Sequence, residues 1–159
     1  MMLATLESRT MHHEPPAAII DVLNGLLEAE LGSIFRFMGE SSPYLSKATA
    51  EVRKPLQEMV NTIPRRTREI ADLIDSLGGV PTPRNIQPEE QYLAYLSLKF
   101  LLPKLVSSEE LLITRYENAV RALKSAPEEV VAVVKRELAE HKSQLEILKK
   151  AAADVAHTK

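Results

Sequence analysis

LKFLLPKLVSSEELLITRYENAVRAL, residues Leu98 to Leu123, carries apolar side chains at Leu98, Leu102, Leu105, Leu112, Tyr116, Ala119 and Leu123. This alternation of three- and four-residue steps is the spacing of one buried helical face. The series has one vacancy. Four residues past Leu105 stands Glu109, and a charge in a buried seam persists only when another group compensates it.

The same interruption occurs in three other segments. Toward the N-terminus, Pro15 and Pro16 suit a first helical turn, and Ile20, Leu23, Leu27, Ile34 and Phe37 mark a seam to about Gly39 that is broken at Glu30. Ser41-Ser42-Pro43 ends that helix. A second seam follows through Val52, Leu56, Met59, Ile63, Ile70, Leu73 and Leu77, broken at Arg66 and closed by Gly78-Gly79, a pair suited to a left-handed C-cap. Pro55 and Pro64 fall inside it and predict a late start or bend and a kink. The third helix is expected from about Pro88 to Lys124, bent at Pro103, with Ser107-Ser108-Glu109-Glu110 offering a second capping box. Ser125-Ala126-Pro127-Glu128 opens a fourth, with a seam of Val131, Val134, Leu138, Leu145, Leu148 and Ala152 broken at His141.

Val80 to Glu90, VPTPRNIQPEE, is proline-rich and aperiodic. Extended at about 3.3 Å per residue, it spans roughly 36 Å, the length of a helix of about two dozen residues. Short links after helices one and three and a long one after helix two describe an all-α four-helix bundle with one crossover. Residues 15–153 form the bundle in this reading, 1–14 a flexible tail containing His12 and His13, and 154–159 a frayed end. The four polar interruptions then meet near mid-height.

Composition narrows the function classes. The chain is 45% hydrophobic and 26% charged, with a net charge of −2, as expected for one globular domain. Without a basic field, and with 4% aromatics and no tryptophan, it is not built to hold nucleic acid. It has no cysteine, which excludes disulfides and thiol chemistry and suits a reducing compartment. Charged residues interrupt the N-terminal region and no long apolar run occurs, so the expectation is a soluble, cytoplasmic protein without a membrane partner.

Two readings of the seam residues are open. In the first, Glu30, Arg66, Glu109 and His141 form a buried ion network, with the guanidinium bridging the two carboxylates. In the second, Glu30, Glu109 and His141, assisted by Gln144, bind one divalent metal (iron, manganese or zinc) and support oxidative chemistry. A third possibility, an organic ligand or haem in the core, rests on Met38 and Met59 alone.

The chain resembles the ferritin-like superfamily, in particular its bacterioferritin and rubrerythrin branch. Glu30-Leu31 with Ile34 and Phe37 looks like the first-helix ligand stretch, Leu77-Gly78-Gly79-Val80-Pro81 like the end of helix two, and Glu109 with Tyr116 and Ala119-Val120 like the third-helix stretch. The pattern covers roughly residues 16 to 152. The resemblance implies a di-iron centre taking one Glu each from helices one and three, which falls on Glu30 and Glu109, and a Glu-x-x-His each from helices two and four. Those two motifs fall on Ile63-Pro64-Arg65-Arg66 and His141-Lys142-Ser143-Gln144, so neither keeps its ligands. The expectation is therefore a ferritin-like bundle whose di-metal centre is replaced by a charged network, with a binding or structural role, forming a homodimer or larger homo-oligomer and holding no cofactor or at most one divalent metal.

Overall fold

The computed structural model describes residues 16–33, 50–83 and 97–156. They form four helices: α1 (Pro16–Leu31), α2 (Ala50–Ser76), α3 (Leu98–Ala122) and α4 (Glu128–Ala156). Each packs on two neighbours, giving the pairs α1–α2, α3–α4, α1–α3 and α2–α4. Cross-helix contacts set their directions. Glu140 meets Arg65 while Arg136 meets Glu69, so α2 and α4 run antiparallel. Thr82, past the end of α2, donates its amide to Asn24 in the middle of α1, while Glu30 late in α1 meets Arg66 in the middle of α2, so these two are antiparallel as well. The order is up-down-down-up, the topology of a four-helix bundle with one crossover between its second and third helices. Residues 84–96 of that connection lie outside the described residues.

α2 ends as its glycine pair predicts. Gly78 adopts φ 83°, and the Gly79 and Gly78 amides donate to the Ile74 and Asp75 carbonyls at 3.0 Å each, the paired bonds of a Schellman cap. Gly79 also passes so close to α1 that a Cβ there would lie 2.8 Å from Ile20 Cδ1.

Several boundaries differ from the sequence reading. α3 starts at Leu98, not near Pro88, because Ser97 is extended (φ −65°, ψ 155°) and cannot continue a helix into Leu98. Ser107 and Ser108 open no new helix; α3 is continuous through them and turns Glu109 inward. Pro55, Pro64 and Pro103 all sit inside helices that continue past them. At the C-terminal end α4 extends to Ala156 and buries Val155. Ile34, Phe37, Met38, the 1–14 tail and residues 157–159 lie outside the described residues.

The apolar core has two parts. One gathers Leu23, Leu27, Ile70, Ile74, Leu112 and Leu123 with their neighbours; the other gathers Leu56, Met59, Ile63, Leu101, Leu105 and Leu148. Met59 thus packs as an ordinary core residue. On α2 the sequence passes from Ile63 in one part to Ile70 in the other, and on α3 from Leu105 to Leu112. Between them lie Arg66 and Glu109, both buried.

Two glycines separate conformational need from chance. Gly78→Ala should destabilise the protein by about 1–2 kcal/mol, because a Cβ disfavours the left-handed region. Gly25→Ala, in mid-helix with open space where its Cβ would go, should stabilise it by about 0.5–1 kcal/mol. Urea denaturation of both variants reads the pair, and an unchanged midpoint for Gly78→Ala contradicts the cap.

Candidate functional site

Five polar side chains fill the layer between the two apolar parts: Glu30 from α1, Arg66 from α2, Glu109 from α3, and Glu137 and His141 from α4, each no more than 2% exposed. The seam spacing turns them inward. Buried away from solvent, they must satisfy one another.

His141 holds the layer together. Its Nε2 lies 2.5 Å from Glu30 Oε1 and its Nδ1 2.5 Å from Glu109 Oε1, so one imidazole spans carboxylates on two helices. Only an imidazolium has two N–H donors to fill both contacts. Burial works against its charge, but the hydrogen bonds and negative charge of Glu109 and Glu30 outweigh burial and push its pKa up to about 9. Sequence reasoning expected the guanidinium to bridge the carboxylates. Instead, Arg66 Nε donates to Glu30 Oε1 at 3.2 Å, and its second nitrogen donates to Thr62 Oγ1 at 2.9 Å. Arg66 is long enough to reach Glu30 from the adjacent α2, whereas Glu109 lies on α3, beside the α4 helix that carries His141.

Glu30 is the common acceptor. Burial pulls its pKa upward, but the His141 hydrogen bond and the charges of His141 and Arg66 hold it below the ordinary carboxylate range. Its third contact is Tyr116 Oη at 2.7 Å. That phenol also lies 3.0 Å from Glu137 Oε2, and its ring packs 4.9 Å from the His141 ring, tilted by 47°. Burial, reinforced by the carboxyl groups of Glu30 and Glu137 beside it, pushes the Tyr116 pKa up and keeps the phenol protonated.

Glu137 escaped the sequence reading. The expected α4 seam ran through Val131 and Leu138, but the buried series is Val130, Val134, Glu137, His141, Leu148 and Val155. Glu137 stands three residues after Val134 and four before His141, so the helical spacing pointed to it; the neighbouring Leu138 fitted an apolar seam better and drew the series one residue aside. Burial, with a hydrogen bond to Glu69 and the charges of Glu30 and Glu69, pushes Glu137 up to about 8 against an opposing Tyr116 bond. It therefore carries a proton at neutral pH. Gln144 stands apart from the carboxylates, its amide 3.4 Å from Thr62 Oγ1.

At the surface of the α2–α4 pair, Arg65 bonds Glu69 at 3.0 Å and Glu140 at 2.5 Å, and Arg136 bonds Glu69. Exposed pairs of this kind contribute little stability. Here they roof the buried layer, with Glu140 also 3.9 Å from Arg66.

The donor set does not fit a di-iron centre. The bundle type requires about four carboxylates and two neutral imidazoles, whereas the positions that the resemblance assigns to the two His ligands hold Arg66 and Gln144, and His141, with a carboxylate oxygen against each ring nitrogen, presents protons rather than a lone pair. Among the described residues, no group of three or more His, Cys, Asp or Glu could hold a metal ion. Three carboxylate oxygens, Glu30 Oε2, Glu109 Oε2 and Glu137 Oε1, are nevertheless buried without a hydrogen-bond donor.

The arrangement of helices has known counterparts. A dodecameric thioferritin, the bacterioferritin-related protein from Bacteroides fragilis, superposes with a TM-score of 0.71 at 22% identity, over 89% of this chain and 88% of its own. A ferritin-like, diiron-carboxylate protein from Bacillus anthracis str. Ames superposes at 0.67 and 22% identity, over 86% of this chain and 96% of its own. No protein-family model and no curated protein matches the sequence. The chain has the ferritin-like four-helix-bundle fold, and among the described residues no helix is long and apolar enough to cross a membrane.

Stability should fall as pH rises. The folded chain keeps the His141 proton up to about pH 9, whereas an unfolded histidine loses it near 6.5. The stability this proton contributes is complete below pH 6.5 and lost as pH passes 9. Glu137, raised from 4.5 to about 8, acts in the same direction. Each such proton gives a slope of about −1.4 kcal/mol per pH unit inside its window. Glu30, held low, acts oppositely: its contribution is present above its ordinary value and is lost at acid pH. The urea midpoint should therefore decline steadily between pH 6.5 and 9, and less so in His141→Gln. A flat or rising midpoint in wild type contradicts the protonated layer.

Proposed function

We propose that this ferritin-like bundle neutralises its central carboxylates with its own Arg66 and protonated His141 instead of a di-metal centre, and serves as a cytoplasmic binding or structural protein, not an efficient ferroxidase. The observation that carries the reading is His141, whose two ring nitrogens each lie 2.5 Å from a carboxylate oxygen of a different helix. Arg66 adds a charge that cannot be titrated away. With both cations in place, a divalent ion would meet two positive groups and no imidazole lone pair.

Self-association belongs to the same proposal. The Bacteroides fragilis neighbour is a dodecamer, and α3 leaves Phe100 and Leu111 exposed, three helical turns apart on one face. Both features support a homodimer or larger homo-oligomer.

A second reading is supported by the orphaned oxygens. Glu30 Oε2 and Glu109 Oε2 would suit one iron, manganese or zinc ion, provided that His141 gives up its protons and Arg66 moves aside. Gln144 would assist only after leaving Thr62.

Metal analysis of protein expressed without a histidine tag, paired with a ferrous-oxidation assay, separates these readings. The proposal expects less than about one iron per chain and no turnover, because two-metal chemistry needs ions about 4 Å apart with bridging ligands. One stoichiometric ion that is lost together in Glu30→Gln and Glu109→Gln would replace the network by the mononuclear site. Two ions per chain would overturn both.

A further inference from the structure

Away from its neighbours α1 and α4, α3 presents an uncovered face with two large apolar side chains on it, Phe100 at 64% exposure and Leu111 at 68%. They are eleven residues apart. At 100° per residue this separation passes three full turns by only about 20°, so both side chains share one face, about 16 Å apart along the helix. An exposed charge immediately precedes each, Lys99 before Phe100 and Glu110 before Leu111. The two charges therefore lie along one flank of the same face, with the same spacing and opposite sign. Neither charged side chain has an ion-pair partner among the described residues of its own chain.

The pattern is self-complementary. A charged and an apolar residue in succession, repeated after three turns with the charge inverted, match a second copy of themselves running in the opposite direction.

We propose that two copies of this chain pair through α3, antiparallel across a two-fold axis midway between Phe100 and Leu111, with each Phe100 packed on the partner's Leu111 and each Lys99 paired with the partner's Glu110. This pairing rests on the self-association proposed above and gives it a surface and a register.

Geometry selects the direction. A two-fold axis makes the interface isologous, so every contact occurs twice. The axis lies level with the junction of Leu105 and Val106, and rotation about it carries Phe100 to the height of the partner's Leu111. The same rotation keeps the charged flanks on one side, where Lys99 and the partner's Glu110 differ in height by about 3 Å, within reach of a long lysine side chain. A parallel pairing in register would instead set Lys99 against Lys99 and Glu110 against Glu110. Near the axis the exposed Ser107 falls opposite the partner's Lys104, whose long stem keeps its ammonium in water. A second copy fits this face better than an unrelated protein because both halves of the match, apolar and charged, lie on the chain itself. Two apolar contacts and two exposed ion pairs make a small interface, and small interfaces are weak, so the dimer should depend on concentration.

Sedimentation equilibrium of untagged protein tests the pairing. Wild type should associate reversibly as its concentration rises. Phe100→Ser and Leu111→Ser should each raise the dimer Kd at least about tenfold, since each removes an apolar contact twice. Lys99→Glu and Glu110→Lys should each raise it at least about fivefold by setting like charges together twice. An equimolar mixture of these two charge variants should recover the wild-type Kd to within about threefold, because both ion pairs return in the mixed dimer with reversed polarity. All four positions are exposed, so helix content and the urea midpoint should stay at wild-type values, which separates lost pairing from lost fold. Association that Phe100→Ser and Leu111→Ser leave unchanged overturns this interface while self-association itself stands. Charge variants that do not recover on mixing overturn the antiparallel register. A wild type that stays monomeric at every concentration overturns both, and the face then belongs to a partner of another kind.

Discussion

The structure depends on one imidazolium. His141 is fully buried at the meeting point of helices that carry two carboxylates, and its pair of short contacts ties α4 to α1 and α3 at once. Removing one partner from a buried ion pair costs about 3–5 kcal/mol because the other charge is left uncompensated. The layer therefore works as a unit: two carboxylates face two cations, and the fifth member, Glu137, keeps its proton. Replacing the whole layer with well-packed apolar residues need not lose stability, so its presence calls for a role in specificity or chemistry.

The layer also explains how the core is organised. Two apolar clusters lie on either side of it, and the helices cross from one to the other through a single polar turn. Charge pairing fixes the axial register of the four helices, since a slip by one turn of any helix would set a charge against leucine and isoleucine. Apolar packing alone tolerates such slips better, because leucine rows repeat along each helix. The crossover and the Schellman cap at Gly78 set which helices are neighbours; the polar layer sets their height.

Much of this was legible in the sequence because the α2 and α3 seams are nearly unambiguous. Every position expected on the α3 seam from Leu98 to Leu123 is buried, and the interruptions at Glu30, Arg66, Glu109 and His141 all point inward. What escaped had physical causes. α4 carries apolar residues on two adjacent rows, Val131 and Leu138 on one and Val130 on the other, where Glu137 also stands, so hydrophobicity alone chose the row without the glutamate. Burying Glu137 is tolerable because it holds its proton and bonds to Tyr116 and Glu69, a compensation that involves three helices and has no signature along one. The choice of bridge was likewise beyond the sequence. Arg66 offers more donors, but His141, not Arg66, stands within reach of both carboxylates.

The central claim is that His141 is a cation in the folded protein at neutral pH. Nitrogen-15 spectra of the histidine side chains at pH 7.5 test it most directly. The account predicts that His141 shows both ring nitrogens protonated, with strongly downfield N–H protons from its two short carboxylate contacts. A neutral His141 ring with one unprotonated nitrogen would contradict it, and would leave that lone pair free for a metal.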